Sequence, residues 1–245
     1  MLAKFRILIL IISFIFSVAN GQIPDTFTNL KVLPKDITKE KLVDIMKSFT
    51  SSLGVRCNFC HVGEDGQPLR TFDFQSDTKT AKLKARTMME MTHDINSDYL
   101  SRFSDYQDNT LQVKCVTCHR GIQKPEPLED VIYEKIKSDG LDEAISDYNN
   151  LYKKYYGGSA YDFRDHTLVG LAEKLSEEKM YEDAIAFAKI NVEKYPDSGI
   201  AYFGLAETYE SKGDKENAIE NYKKALELMP NGNDFIKKKL DDLSK

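Results

Sequence analysis

Cysteine and histidine are both scarce in this chain, four of each among 245 residues. The cysteines are Cys57, Cys60, Cys115 and Cys118, so any thiol chemistry is confined to two short stretches. Positive charge is not in excess either: 34 Lys and Arg stand against 39 Asp and Glu, a net charge of -5. That balance excludes the basic stripe of a nucleic-acid binder. One long apolar run exists, residues 7–18, and twelve residues are too few for a membrane-spanning helix, which needs about 20. Strand-like alternation of any length is missing from the first half, which argues for helices joined by long loops.

The apolar run has a different meaning. In MLAKFRILILIISFIFSVANGQIP it follows Lys4 and Arg6, and the small residues Ala19 and Gly21 precede Gln22. That layout predicts a secretory signal peptide over residues 1–21, hence an exported, periplasmic protein. The cleavage region lacks a cysteine, so no lipid anchor is expected, and membrane contact is expected only if the leader stays attached. The remaining chain divides by charge: residues 22–127 carry +1 and residues 128–245 carry -8. Pro125 and Pro127 in KPEPLED mark the division, because neither can sit inside a helix.

The second part repeats. Leu171-Ala172 recurs as Leu205-Ala206, Ala184 as Ala218 and Pro196 as Pro230, each pair 34 residues apart. Small residues at these positions let two helices approach, while Leu171, Leu205, Tyr209, Tyr222 and Leu226 fill between them. The period and pattern resemble tetratricopeptide repeats. A degenerate earlier unit is expected upstream, with Ala144 standing 40 residues before Ala184, and GNDFIKKKLDDLSK reads as a polar closing helix. By analogy of fold such a stack offers a surface for a protein ligand; packing support for the first part is the plainer alternative.

In the first part, residues 38–54 predict a helix with Thr38 as N-cap, an apolar face from Leu42 to Leu53 and Gly54 as its stop. Residues 78–100 predict another, with Leu83, Met88, Met91 and Ile95 along one side. Two helices give little core for some hundred residues, so something else must fill the middle.

Each cysteine pair belongs to a C-x-x-C-H: RCNFCH and KCVTCH. In an exported chain a redox dithiol, a disulfide or a zinc site are alternative uses of C-x-x-C. Paired zinc motifs are usually about 15–20 residues apart, whereas 54 residues separate Cys60 from Cys115. None of those uses calls for a histidine after both pairs. Covalent haem does: the two thiols add across the porphyrin vinyl groups and the next residue, His61 or His119, ligates iron from one side. The expectation is two haem c groups, whose porphyrins supply the missing apolar filling. For six-coordinate iron, methionines on the two helices are the natural further ligands, Met46 lying 11 residues before Cys57 and Met88 ahead of the second motif. The alternative use of Met88 and Met91 is core packing.

The stretches MKSFTSSLGVRCNFCH, ARTMMEMTHDIN and VKCVTCHRG, within residues 29–124, resemble the tetrahaem cytochrome subunit of bacterial photosynthetic reaction centres. By that resemblance Met46 is the distal ligand of one haem and Met88 of the other, with Met91, one turn on, as second choice. His93 lies about 140° around the helix from Met88 and is set aside. The chain departs from the family in carrying two motifs rather than four, in having Arg102 where a bis-histidine haem draws its distal histidine, and in its repeat domain. The resemblance therefore implies electron transfer but not a photosynthetic partner.

The sequence thus predicts an all-α protein: signal peptide 1–21, a dihaem cytochrome c domain over 22–127 and a tetratricopeptide-like solenoid over 128–245. Methionine opposite histidine fills the sixth position of iron, which suits a one-electron carrier between unidentified redox partner proteins rather than an enzyme. A dihaem peroxidase, with one five-coordinate haem, and a haem-containing scaffold are the alternatives. Arg56, Arg86 and Arg120 are candidates for pairing with haem propionates, or are plain surface arginines.

Overall fold

Helix α1 forms over Lys39–Leu53, and its ends explain its limits. The structure, a computed structural model, describes residues 23–106, 111–229 and 234–245; the expected leader and Pro230 lie outside them. At the start of α1 the Thr38 hydroxyl accepts from the Lys41 amide at 3.4 Å, and the Thr38 carbonyl accepts from Leu42. At its end Gly54 takes φ +64°, and the Val55 amide reaches back to the Thr50 carbonyl at 3.0 Å. That is the glycine-terminated closure that satisfies otherwise orphaned carbonyls.

Helix α2, Thr80–Asp94, runs on where the sequence predicted it, then widens over Ile95–Tyr99 and tightens over Leu100–Tyr106. The helical stretch is longer than the predicted 78–100. Asn96 marks the change of pitch, its amide donating back to the Thr92 carbonyl at 2.9 Å. A short helix, α3, covers Cys115–His119. Among the described residues no strand forms, only one isolated bridge between Val62 and Asp73, so the all-α expectation holds.

Seven helices follow: α4 (Leu128–Asp139), α5 (Leu141–Tyr155), α6 (Asp165–Glu177), α7 (Tyr181–Lys194), α8 (Gly199–Lys212), α9 (Lys215–Leu228) and α10 (Asp234–Leu243). They pack as predicted from the small–large pattern. Ala144, Ala184, Ala206 and Ala218 are fully buried, and Leu171, Leu205, Tyr209 and Tyr222 fill between the helices. Each Leu or Ile so buried contributes about 1.5–3 kcal/mol. Gly213, at φ +86°, ends α8, and the Asp214 carboxylate caps α9 by accepting from the Asn217 amide. The earliest pair, α4–α5, stands out of the 34-residue register because the connection 156–164 is long. Its Phe163 is buried against the rings of Tyr148, Tyr152 and Tyr161.

The chain divides into two compact units: one reaches Cys115 and omits residues 52–54; the other joins Ser52–Gly54 to Val116–Lys245. Their interiors differ. The second has a continuous apolar core drawn from α4 to α10. In the first, Leu42 is the one buried hydrophobic side chain among the described residues.

Candidate functional site

The first motif is a tight turn. Cys57–Phe59 form one turn of 3-10 helix, the His61 amide donating to the Cys57 carbonyl at 3.0 Å. Lys79, just ahead of α2, donates its ammonium to the Asn58 carbonyl, inside the motif. Burial, then the positive charges of Lys82, Arg86 and Lys79, bring the His61 imidazole down to about 4, so it is neutral near pH 7. A neutral imidazole is the form that ligates a metal. Its Nδ1 is buried without a hydrogen-bond partner, and the Phe74 ring stands edge-on at 4.9 Å. Burial also raises the Cys60 thiol above its ordinary value.

Behind this turn lies a brace. Lys82 is buried on α2 and its ammonium donates to the carbonyls of Phe74 at 2.8 Å, Gln75 at 3.3 Å and Ser76 at 2.8 Å. It also pairs with the Asp77 carboxylate at 3.0 Å. Arg86 grips the same carboxylate with two bonds, 2.9 and 3.0 Å, and donates to the Asn29 carbonyl at 3.2 Å. Hydrogen bonds from Arg86 and then Lys82 hold Asp77 well below the usual carboxylate range. Arg86 is therefore neither a surface arginine nor unengaged: its guanidinium is spent on Asp77. Arg56 is exposed and pairs with Asp65 at 2.9 Å, and Arg120 is exposed with a left-handed backbone at φ +49°.

The second motif occupies α3, with Cys115 and Cys118 one turn apart. The ring of His119 meets the Ile122 carbonyl through Nδ1 at 3.1 Å. With Nδ1–H donating, the lone pair sits on Nε2, the nitrogen that a metal would take. The turn after α3 is locked by the Gly121 amide, which donates to the Ser52 carbonyl at 2.8 Å. A Cβ on Gly54 would sit 2.1 Å from the Gly121 oxygen, so the closure of α1 and the turn behind His119 are fitted to each other. Ahead of the motif, Asn96 exchanges two hydrogen bonds of 2.8 Å with Val113, fixing the approach to Cys115.

Met46 is half-buried on α1. Met88 and Met91 are nearly half exposed on α2, at 47% and 46%. At 100° per residue Met88 lies between about 120° and 160° around α2 from Lys82 and Arg86, so the braced face and the methionine face are different ones. His93 is exposed in the last turn of α2. Arg102 is exposed, its guanidinium over the Tyr99 ring at 5.3 Å. His166 lies in the first turn of α6, with Nε2 3.3 Å from the Asp162 carboxylate.

These features suit a porphyrin. The unit carrying the first motif has almost no core of its own, yet exposes Phe59, Val62, Leu83, Met88 and Met91. His61 offers a half-buried, neutral ring whose Nδ1 has no partner, and His119 an oriented one. No group of three or more His, Cys, Asp or Glu side chains converges among the described residues as a single metal ion would require. Cys57, Cys60, Cys115 and Cys118 would hold two groups covalently, with His61 and His119 toward iron. Lys79, Lys82, Asp77, Asn29 and Asn96 were not anticipated as parts of this arrangement.

A helical chain presenting two C-x-x-C-H turns in this way has the make-up of a c-type cytochrome. The family described as "Photosynthetic reaction centre cytochrome C subunit" matches residues 16–160, more than half the chain. The chain belongs to that family. A second match, "Tetratricopeptide repeat", covers residues 199–231, the segment of α8 and α9. Among curated relatives, cytochrome c-554 of Chloroflexus aurantiacus is 30% identical over 99 residues, 40% of this chain and 21% of the relative. The photosynthetic reaction center cytochrome c subunit of Thermochromatium tepidum is 31% identical over 90 residues, 33% of this chain and 20% of the relative. The chain thus spans about a fifth of the length of each of these relatives. The family match runs past the expected limit of residue 124, through α4 and α5.

Proposed function

We propose that the protein is an exported, periplasmic dihaem c-type cytochrome that passes single electrons between redox partner proteins and catalyses no reaction of its own. The observation that carries this reading is the hydrogen bond from His119 Nδ1 to the Ile122 carbonyl, on a helix whose turn spaces Cys115 and Cys118 together. With the proton on Nδ1 facing that carbonyl, the lone pair is left on Nε2, the tautomer an iron ligand requires. Haem bound there supplies a one-electron ferric–ferrous couple whose potential depends on its axial ligands and on burial.

The chain's residues divide the remaining work. Cys57, Cys60, Cys115 and Cys118 would anchor the haems covalently, and His61 and His119 would each ligate an iron. Met46 and Met88 would supply the further ligands, with Met91 the alternative to Met88. Residues 1–21 are the export leader, residues 22–127 carry the two haems, and residues 128–245 dock a partner protein. The family's association with reaction centres supports redox proteins as partners, while the repeat segment supports protein–protein docking of a kind not restricted to photosynthesis.

The test is a spectroelectrochemical titration of protein made with haem-attachment machinery. Two one-electron waves per chain are expected, with Met46→Ala and Met88→Ala each lowering a different wave and removing part of the weak red methionine–iron band. High-spin ferric haem in the unaltered protein, together with peroxide turnover, would overturn the carrier reading.

A further inference from the structure

Within the second unit a cleft of about 330 Å³ opens beside α3. Cys118 and Arg120 form one side; Pro125, Leu128, Tyr161 and His166 are among the residues that form the rest. Two of these walls belong to the helical stack: the start of α4, and the connection 156–164 with the first turns of α6. The connection that throws the α4–α5 pair out of the 34-residue register is therefore the segment that brings Tyr161 to Cys118's cleft. Two of its three acids are engaged: Asp162 is paired with Arg164 at 2.5 Å and with His166, and Glu126 with Lys124, while Glu129 adds a carboxylate on the first turn of α4. The family match ends at residue 160, on the lip of this cleft, and so takes in α4 and α5.

Building on the dihaem reading, we infer that the cleft seats the edge of the haem attached through Cys118, so that the helical stack forms part of that haem's housing. Pro125 and Tyr161 supply apolar and aromatic surface to the porphyrin edge, while Arg120 and His166 supply the polar lip. The repeats are then not a separate docking module joined by a linker. A partner that shifts α6 shifts a wall of the second haem, and partner binding is coupled to the potential of that haem alone.

Gly170 makes the inference testable. It lines the cleft on α6, and a Cβ built there meets nothing within 4 Å. Replacing it with leucine relieves a helix of glycine's conformational freedom and starts from a Cβ with open space around it, yet adds a branched side chain to the cleft wall. Gly170→Leu is expected to cost haem at the second motif, read by mass mapping of the Cys115–His119 peptide, or to move one of the two redox waves and its Soret circular dichroism while leaving the other. His166→Ala is expected to move the same wave, and Gly170→Ala, which gains helix without filling the cleft, to move neither. Full haem loading with both waves and the Soret dichroism unchanged in Gly170→Leu and His166→Ala would overturn the inference. Absence of haem from the second motif of the unaltered chain is a different result, and overturns the dihaem reading itself.

Discussion

Lys82 illustrates how single side chains set up the first motif. Its ammonium is buried and answers three carbonyls of residues 74–76, the segment whose Phe74 ring touches His61. Lys82→Met keeps the stem but takes the donor from the Phe74 and Ser76 carbonyls, and an unanswered polar group shielded from water costs about 1–3 kcal/mol. A loss of that order in chemical denaturation is expected, together with a change in the Soret dichroism of the first haem. Asp77 gives a pH signature. Because Arg86 and Lys82 hold its carboxyl below the ordinary range, it stabilises the fold at pH values above its unfolded value of about 3.9. That contribution disappears as pH falls through the still lower folded value. Asp77→Asn is therefore expected to be less stable than the unaltered protein at pH 7, with the gap narrowing in acid. A gap that stays constant down to pH values where carboxylates are protonated would contradict this assignment.

At the scale of elements, two glycines separate strain from collision. Gly213 ends α8 at φ +86° with open space around it, so Gly213→Ala is expected to cost only the left-handed penalty, about 1–2 kcal/mol. Gly54 has the same kind of backbone and the Gly121 oxygen in the way, so Gly54→Ala is expected to cost more and to disturb the turn behind His119. Ala184 and Ala206 test the stack: a leucine at either overfills a closed helix contact, and thermal denaturation should show a loss of about 1–3 kcal/mol. Much at this scale was legible in the sequence. The start and stop of α1 depend on local chemistry at Thr38 and Gly54, and the repeat helices on a 34-residue rhythm of alanine and leucine. Features made by distant partners were not. Arg86 meets Asn29 from 57 positions away, and nothing local marks it as a half-buried clamp rather than a surface charge. Lys82 has the composition of a solvated residue, and only the folded loop 74–76 gives it three acceptors. The lengthening of α2 through Tyr106 hinges on Asn96 reaching Val113, which periodicity does not register. His166 lies 48 residues beyond Cys118, and only the fold of the 156–164 connection and α6 brings both to one cleft.

Over the whole molecule, the two units differ in what holds them together. The second buries Leu128, Ile132, Leu168, Leu171 and Leu175 in a core of its own, whereas the first buries Leu42 alone among hydrophobic side chains of the described residues. Protein made without haem attachment is accordingly expected to retain the far-ultraviolet signal of the stack from α5 to α10 and to lose that of α1 and α2. The measurement that bears most directly on the dihaem reading is the intact mass of the exported protein, combined with pyridine haemochrome quantification, from a host that has the attachment machinery. Two covalent haems per chain, one mapped to Cys57–His61 and one to Cys115–His119, are predicted. A chain with intact thiols and no haem, although the machinery loads a control cytochrome in the same cells, would contradict it.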